Sequence, residues 1–432
     1  DEIGYDRIRD AFRSKSEIAY QGAVQRLDNK RTHLKQNPKP ADNAVVPEFK
    51  RMPPAVWIGP SALTIPCPVT DMEQLSNRLS KVFSDYPELF NHCVKVYQKR
   101  VDYYRLTSEG QKILQPDTVF HITARASIKT DGNEVKTEYY RLHVGGINDL
   151  PSEDALIGEL HRFAEYMQQK NRAKAVEDLY IGPVLYEDDA AMELLAEKIA
   201  DYSHSYWISI RNQSDRKHRY LGKQVFPPAL SVCQLGNDSV YNGVKLLGYR
   251  QVDADGTKPK TLPIIEKGIL KHMLTGRTPS LGCPASTGNE HFDGLSRTLE
   301  TRYTAGVFRV TSNRPVPYSK LYKRFLKAAK KAGLEHTYII RKNRTSPYAL
   351  IRVDLSTGKE ELVEGNYNSP SREQFKRMHA ISKEENVYNL DPAGGKGLGI
   401  ISPKAILLED MELDITPSRA RHIDEAFYEL RH

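Results

Sequence analysis

Cysteine is scarce: Cys67, Cys93, Cys233 and Cys283 are the four in 432 residues. Their spacing matches no CxxC zinc or redox motif, so they read as isolated buried thiols. If the protein is exported, one disulfide stays open to them. No apolar run reaches 18 residues, so no membrane-spanning helix is expected. The thirteen histidines contain no HxH or HxxxH pair, so none of that spacing could hold a metal from neighbouring helical turns. No serine or cysteine carries a recognisable nucleophile signature. The run GGKGLG, Gly394 to Gly399, lacks the spacing of a phosphate loop and no helix pattern follows it, so it reads as a turn into a strand. DADGT, Asp253 to Thr257, has spaced acids, but no glutamate closes a calcium loop; it reads as a tight hairpin turn. Internal repeats and low-complexity tracts are absent too.

What is present suits two or three domains. Hydrophobic residues make up 39%, enough for sizeable cores though below the globular average. The net charge is +8, from 63 basic and 55 acidic residues. That balance suits a nucleic acid or an acidic surface, yet the two signs are interleaved. The densest basic stretch, KRFLKAAKKAG from Lys323 to Gly333, has helical spacing, with Tyr322, Phe325 and Ala329 inward and the lysines solvated. No nucleic-acid motif accompanies the charge, so a basic nucleic-acid-binding protein is kept only as an alternative.

Period and punctuation divide the chain. Residues 5–36 predict a charged helix with Ile8, Phe12, Ala19, Ala23 and Leu27 as a sparse stripe. Six prolines between 38 and 60 then predict an extended linker, so residues 1–68 form one segment. From Val94 to Val144 the period becomes two. Phe120, Ile122, Ala124, Ala126 and Ile128 share a face, and Asp131-Gly132 turns a hairpin, which predicts an antiparallel sheet of about three strands. Pro151-Ser152 opens a helix with Leu156, Leu160, Phe163 and Met167 in line. Residues 69–178 thus form an α+β domain. Residues 179–432 read as a β-rich domain with few helices, and a cleft is expected between the 94–144 sheet and this second domain.

One helix invites a chemical reading. GPVLYEDDAAMELLAEKIADYS, Gly182 to Ser203, predicts a strand and then an amphipathic helix. With histidine at Ala196 and Asp201 it would carry HExxxH, two zinc ligands with a glutamate general base between them. Ala196 cannot ligate a metal, and Asp201 alone is not a site. Asp201 and His204 lie three apart and could share a face, which leaves two readings open. One is a solvated amphipathic helix. The other is an active metallopeptidase rebuilt around Glu197, Asp201 and His204, the only reading that calls for zinc.

The order of these pieces resembles the TldD/PmbA family of metallopeptidase-like proteins, also called modulators of DNA gyrase. The resemblance runs through YRLTSEG (Tyr104 to Gly110), VFHITARASIKTDGNEV and the Gly182 helix segment. It continues through VDADGTKPKTLPIIEKGILKHMLTGR, STGN (Ser286 to Asn289), FRVTSN (Phe308 to Asn313) and GLGIISPKAILLEDMELDI. It covers roughly residues 90–415 and implies an α+β fold: a helix-plus-antiparallel-sheet domain followed by a β-rich peptidase-like domain. The departures fall on the chemistry. Ala196 and Asp201 stand where the family's zinc histidines stand, and no cysteine lies near Asn389, where a further ligand is expected. Glu197, at the general-base position, is kept. The resemblance therefore implies the subclass without HExxxH: a non-catalytic partner or peptide-binding subunit in peptide processing or degradation, without a cofactor. It would act as a homodimer or beside a TldD-type subunit. The chain begins at Asp1 rather than Met, and the N-terminal IRDAFRSKSEIAYQGAVQRLDNKR with its proline-rich sequel resembles exported members from gut-type bacteria. A bacterial cytoplasmic protein is the family default; a periplasmic or exported one follows if a signal peptide was removed.

Overall fold

The structure is a computed structural model that describes residues 4–36, 51–59, 68–130, 135–203, 217–277, 283, 285–292, 301–303, 306–346, 348–390 and 397–415. The chain divides into two compact units, Asp1–Pro47 and Glu48–His432. The first is a single helix, α1 (Tyr5–Gln36), whose Ile8, Phe12 and Leu27 remain exposed. No helix among the described residues is long and apolar enough to cross a membrane.

The second unit starts with β1 (Val56–Ile58) and α2 (Val69–Ser80), followed by β2 (Asn91–Leu106), β3 (Lys112–Lys129) and β4 (Val135–Val144). β2, β3 and β4 pair antiparallel in sequence order, as the period-two pattern predicts; the hairpin residues 131–134 lie outside the described residues. Two additions make the sheet mixed. β1, inside the expected linker, pairs parallel with β3, and Thr345–Ser346 pairs with Tyr140 and Tyr139 of β4. Phe120, Ile122, Ala124, Ala126 and Ile128 are all buried. They pack against α2 and against Leu156, Leu160, Phe163 and Met167 of α3 (Glu153–Arg172). Burial of each such large side chain contributes roughly 1.5–3 kcal/mol. Ser152 caps α3 by accepting from the Ala155 N–H at 3.3 Å, satisfying one of the donors a helix start leaves unpaired.

Beyond α3, a short edge strand β5 (Lys174–Ala175) precedes β6 (Asp178–Asp188) and α4 (Asp189–Ser203). β6 lies within a seven-stranded mixed sheet, between Ala405–Ile415, antiparallel, and His336–Lys342, parallel. Alternation divides its residues between two cores. Val184, Tyr186, Tyr338, Ile340, Ile406 and Leu408 face one side. Leu185, Ile339 and Leu407 face the other, against Leu321 and Phe325 of α5 (Tyr318–Lys331). Gly333, at φ +72°, ends α5 in the left-handed region that glycine tolerates. The first face packs on α4 and on a six-stranded sheet that includes β7 (Leu230–Gln234), Val307–Ser312 and Leu398–Pro403. The result is a mixed α+β fold with several mixed sheets.

Candidate functional site

Asp188 has φ +53°, and its N–H donates to Lys404 O at 2.8 Å. This left-handed residue turns β6 directly into α4. Asp189 follows at the helix start, where its carboxylate accepts the Arg344 N–H at 2.6 Å; burial pushes its pKa up to about 6. Ala190, Ala191, Met192, Leu194, Leu195 and Ile199 are buried in the main core. The expectation of a solvated amphipathic helix is thus corrected: α4 lies between a sheet and the rest of the core, and even Lys198 is buried. Among its described side chains only Glu197 is exposed.

Glu197 is engaged at both oxygens. Lys198 Nζ donates to Oε1 at 2.8 Å and Ser369 Oγ to Oε2 at 3.1 Å. Ala196 packs its methyl partly buried against the main core and offers no ligating atom. Asp201 continues α4, but its side chain and all of His204 fall outside the described residues. Asn389, near which the resemblance places a further ligand, accepts from the Leu247 N–H at 2.9 Å and donates to Lys245 O at 2.7 Å. That bonding braces a loop. No group of three or more His, Cys, Asp or Glu among the described residues could hold a metal ion. A zinc ion, which needs three or four converging N, S or O donors, does not fit the donors around Ala196 and Glu197.

A cavity of about 260 Å³ opens beside Glu197, between α3 and the seven-stranded sheet. Tyr166 and Lys170 come from α3, Tyr186 from β6, Leu194 and Glu197 from α4, and Tyr348, Tyr367 and Ser369 from the following strands and loops. Burial raises the pKa of all four tyrosines, so they line it as neutral phenols. The Tyr186 hydroxyl is buried and has no hydrogen-bond partner among the described residues. None of these tyrosines was singled out by pattern. Composition held the only hint, with 24 Tyr against 12 Phe, because side chains from four elements converge only through the fold.

The DADGT turn is a second polar centre. It is a tight turn as expected, closed by Asp253 N–H to Thr257 O at 2.8 Å, with Gly256 at φ +77°. Its Asp253, Ala254 and Asp255 are also fully buried. Asp253 Oδ1 accepts the N–H groups of Asp255 and Thr257 at 2.9 Å, and Oδ2 accepts that of Glu290 at 3.1 Å. Burial pushes Asp253 up to about 7 against these bonds. Burial and the neighbouring Glu290 raise Asp255 as well, with Arg105 at 2.8 Å opposing them. The STGN segment is a brace: Asn289 and Gln234 exchange two side-chain hydrogen bonds, at 2.6 and 3.1 Å. Of GGKGLG, residues 394–396 lie outside the described residues, and strand Leu398–Pro403 follows as expected. Cys93, Cys233 and Cys283 are free thiols.

Residues 181–315 match the family model described as PmbA/TldA metallopeptidase C-terminal domain. Solved structures share the fold. One is a proposed modulator of a DNA gyrase from Thermotoga maritima, at 14% identity, covering 86% of this chain and 81% of that one, with a TM-score of 0.57. Another, from Bacteroides thetaiotaomicron and described in the same words, is 14% identical, covers 86% and 77%, and has a TM-score of 0.59. TldE from Thermococcus kodakarensis is 11% identical, covers 83% and 79%, and has a TM-score of 0.53. No curated protein matches the chain.

Proposed function

We propose, for a chain whose residues 181–315 match the PmbA/TldA metallopeptidase C-terminal domain model, the role of a non-catalytic subunit that binds peptide beside α4. One observation carries this reading. On α4, Ala196 offers no ligating atom and the Glu197 carboxylate is held by Lys198 and Ser369, while a cavity opens next to it. A general base must reach the proton it removes and orient the attacking water. Here each Glu197 oxygen already has a donor, and no described ligand set supplies a metal to activate water. A cavity with apolar and hydrogen-bonding walls can still hold part of a peptide. In this reading residues 69–178 act as one domain that lends Tyr166 and Lys170 to the cavity, and residues 179–432 as a second that supplies the rest. Any catalytic step would come from a partner subunit of the TldD type, and a homodimer is the competing assembly.

The test is metal analysis together with calorimetry on the purified full chain. The expected outcome is no zinc retained after mild chelation and measurable binding of a casein digest without hydrolysis. About one zinc per chain surviving chelation, or hydrolysis by the parent protein that vanishes in Glu197→Gln, overturns the reading.

A further inference from the structure

The cavity beside Glu197 has a definite chemical character. Its floor is apolar, formed by Leu194, Leu350 and Val363. Its walls are phenols, and the Tyr348 and Tyr367 rings meet at 62° with centroids 6.0 Å apart, a corner rather than a stack. The Tyr186 hydroxyl, enclosed and without a partner among the described residues, is the kind of buried polar group that calls for an occupant. At about 260 Å³ the space falls below the roughly 300–1,000 Å³ of pockets for drug-sized ligands and suits one extended side chain. The rim holds two carboxylates, Glu197 and Glu364, and one lysine, Lys170, which is itself paired with Glu138.

The rim carboxylates have lysine partners, Lys198 at 2.8 Å and Lys136 at 2.7 Å. Beside burial, the carboxylates Glu138, Glu364, Glu197, Glu193 and Asp189 oppose ionisation of one or another of the Tyr166, Tyr186, Tyr348 and Tyr367 hydroxyls, and one ring already faces a cation, with Lys342 Nζ 5.0 Å from the centre of Tyr348. Ring faces add negative quadrupoles, which attract cations.

We propose that this cavity takes the cationic side chain of a lysine or arginine in a bound peptide, its methylenes along the leucine floor and its charge among the tyrosines and Glu197. The proposal rests on the peptide-binding reading above and deepens it. A carboxylate accepts about four hydrogen bonds, so Glu197 keeps capacity beyond Lys198 and Ser369. Tyr186 Oη supplies a further acceptor at the enclosed end.

The experiment is titration calorimetry on the full chain with acetylated, amidated pentapeptides of alanine whose central residue is arginine, lysine, glutamine or glutamate, and with the glutamine peptide left unacetylated. The arginine and lysine peptides are expected to bind about tenfold tighter than the glutamine peptide, with the glutamate peptide weakest. Tyr367→Ala and Glu197→Gln should each weaken the arginine peptide about fivefold or more, by a larger factor than the glutamine peptide. Tyr186→Phe, which keeps the ring and the packing, should weaken it by a smaller factor, so the proposal stays testable if Tyr367→Ala fails to fold. Equal binding of all four blocked peptides overturns the cation preference and leaves peptide binding standing. Preference for the unacetylated peptide overturns it in favour of a chain N-terminus. Cation-selective binding that survives both Glu197→Gln and Tyr367→Ala places the site elsewhere and overturns it too. Silence from every pentapeptide and from a casein digest removes the underlying peptide reading itself.

Discussion

Two places in this molecule concentrate carboxylates, and they are built in opposite ways. At the Asp253 turn the acids are enclosed, three backbone N–H groups converge on one side chain, and Arg105 closes on Asp255. Around Glu197 the acids stand at the mouth of a cavity, and the groups behind them are phenols, one without a partner among the described residues. A buried carboxylate bonded on both oxygens by the backbone specifies structure, because losing it orphans several donors at once. A cavity that leaves a hydroxyl unpartnered is poorly explained as structure and readily explained as a binding site. A concentration of acids therefore says little on its own: the Asp253 carboxylate is bonded on both oxygens, although Thr257 Oγ1 in the same turn is also buried without a hydrogen-bond partner among the described residues, and what distinguishes the Glu197 region is the open cavity beside its unpartnered hydroxyl.

The largest test of this contrast removes Asp253. Asp253→Ala leaves three buried N–H groups without an acceptor and should cost roughly 3–5 kcal/mol in urea unfolding. A cost below about 1 kcal/mol would mean that water or a relaxed backbone replaces the carboxylate and that the turn is no brace. Leu195→Ala, on the core side of α4 and fully buried, should cost about 2–5 kcal/mol by cavity formation. A cost near zero would show that α4 is less firmly packed than its place between sheet and core implies.

A smaller effect follows from pH. Burial raises Asp253 to about 7, Glu138 to about 7 and Asp189 to about 6, against about 4 in an unfolded chain. A carboxyl whose folded pKa is raised keeps its proton where the unfolded chain has lost it. Its stabilising contribution is complete below about pH 4 and is lost as pH rises through about 6 to 7. The unfolding free energy should therefore fall between pH 5 and pH 8, by something on the order of 2 kcal/mol. Asp253→Asn should flatten part of that slope. A profile that rises over this interval would mean that the N–H groups around Asp253 outweigh its burial.

How far the sequence revealed this arrangement follows from the range of each signal. Period-two alternation from Phe120 to Ile128 and the Ser152 cap depend on neighbours in the chain, so they predicted β3 and α3 well. The parallel pairing of β1 with β3 depends on residues more than 50 positions apart, and a proline-rich stretch hides it. The fate of the motif helix was half legible. Ala196 was legible as a residue without a ligating atom, but charged residues along α4 suggested a solvated face where the fold buries nearly the whole helix. The cavity was not legible at all, since Tyr166, Tyr186, Tyr348 and Tyr367 share no spacing. The DADGT turn was read correctly in shape and missed in burial, because nothing local says that a second sheet will close over it.

The smallest expected effects are the ones that separate site from brace most cleanly. Glu197→Gln removes a half-exposed charge whose partner Lys198 is buried; the amide keeps an oxygen for that ammonium, so the unfolding free energy should fall by only about 1 kcal/mol. Tyr186→Phe removes a buried hydroxyl that has no partner among the described residues. No protein hydrogen bond is lost there, and a desolvated polar atom is removed, so the change should be neutral or slightly stabilising. A buried tyrosine that served structure would show the reverse, a loss of about 1 kcal/mol or more when its hydroxyl is deleted. Thermal melts of both variants, run beside Asp253→Ala, put the two regions on one scale. If Tyr186→Phe destabilises as a structural tyrosine would, its hydroxyl is bonded in solution and the cavity loses its chief mark of a ligand site. If it melts at or above the parent temperature, the hydroxyl is retained at no benefit to the fold, which is what a group reserved for an occupant should show.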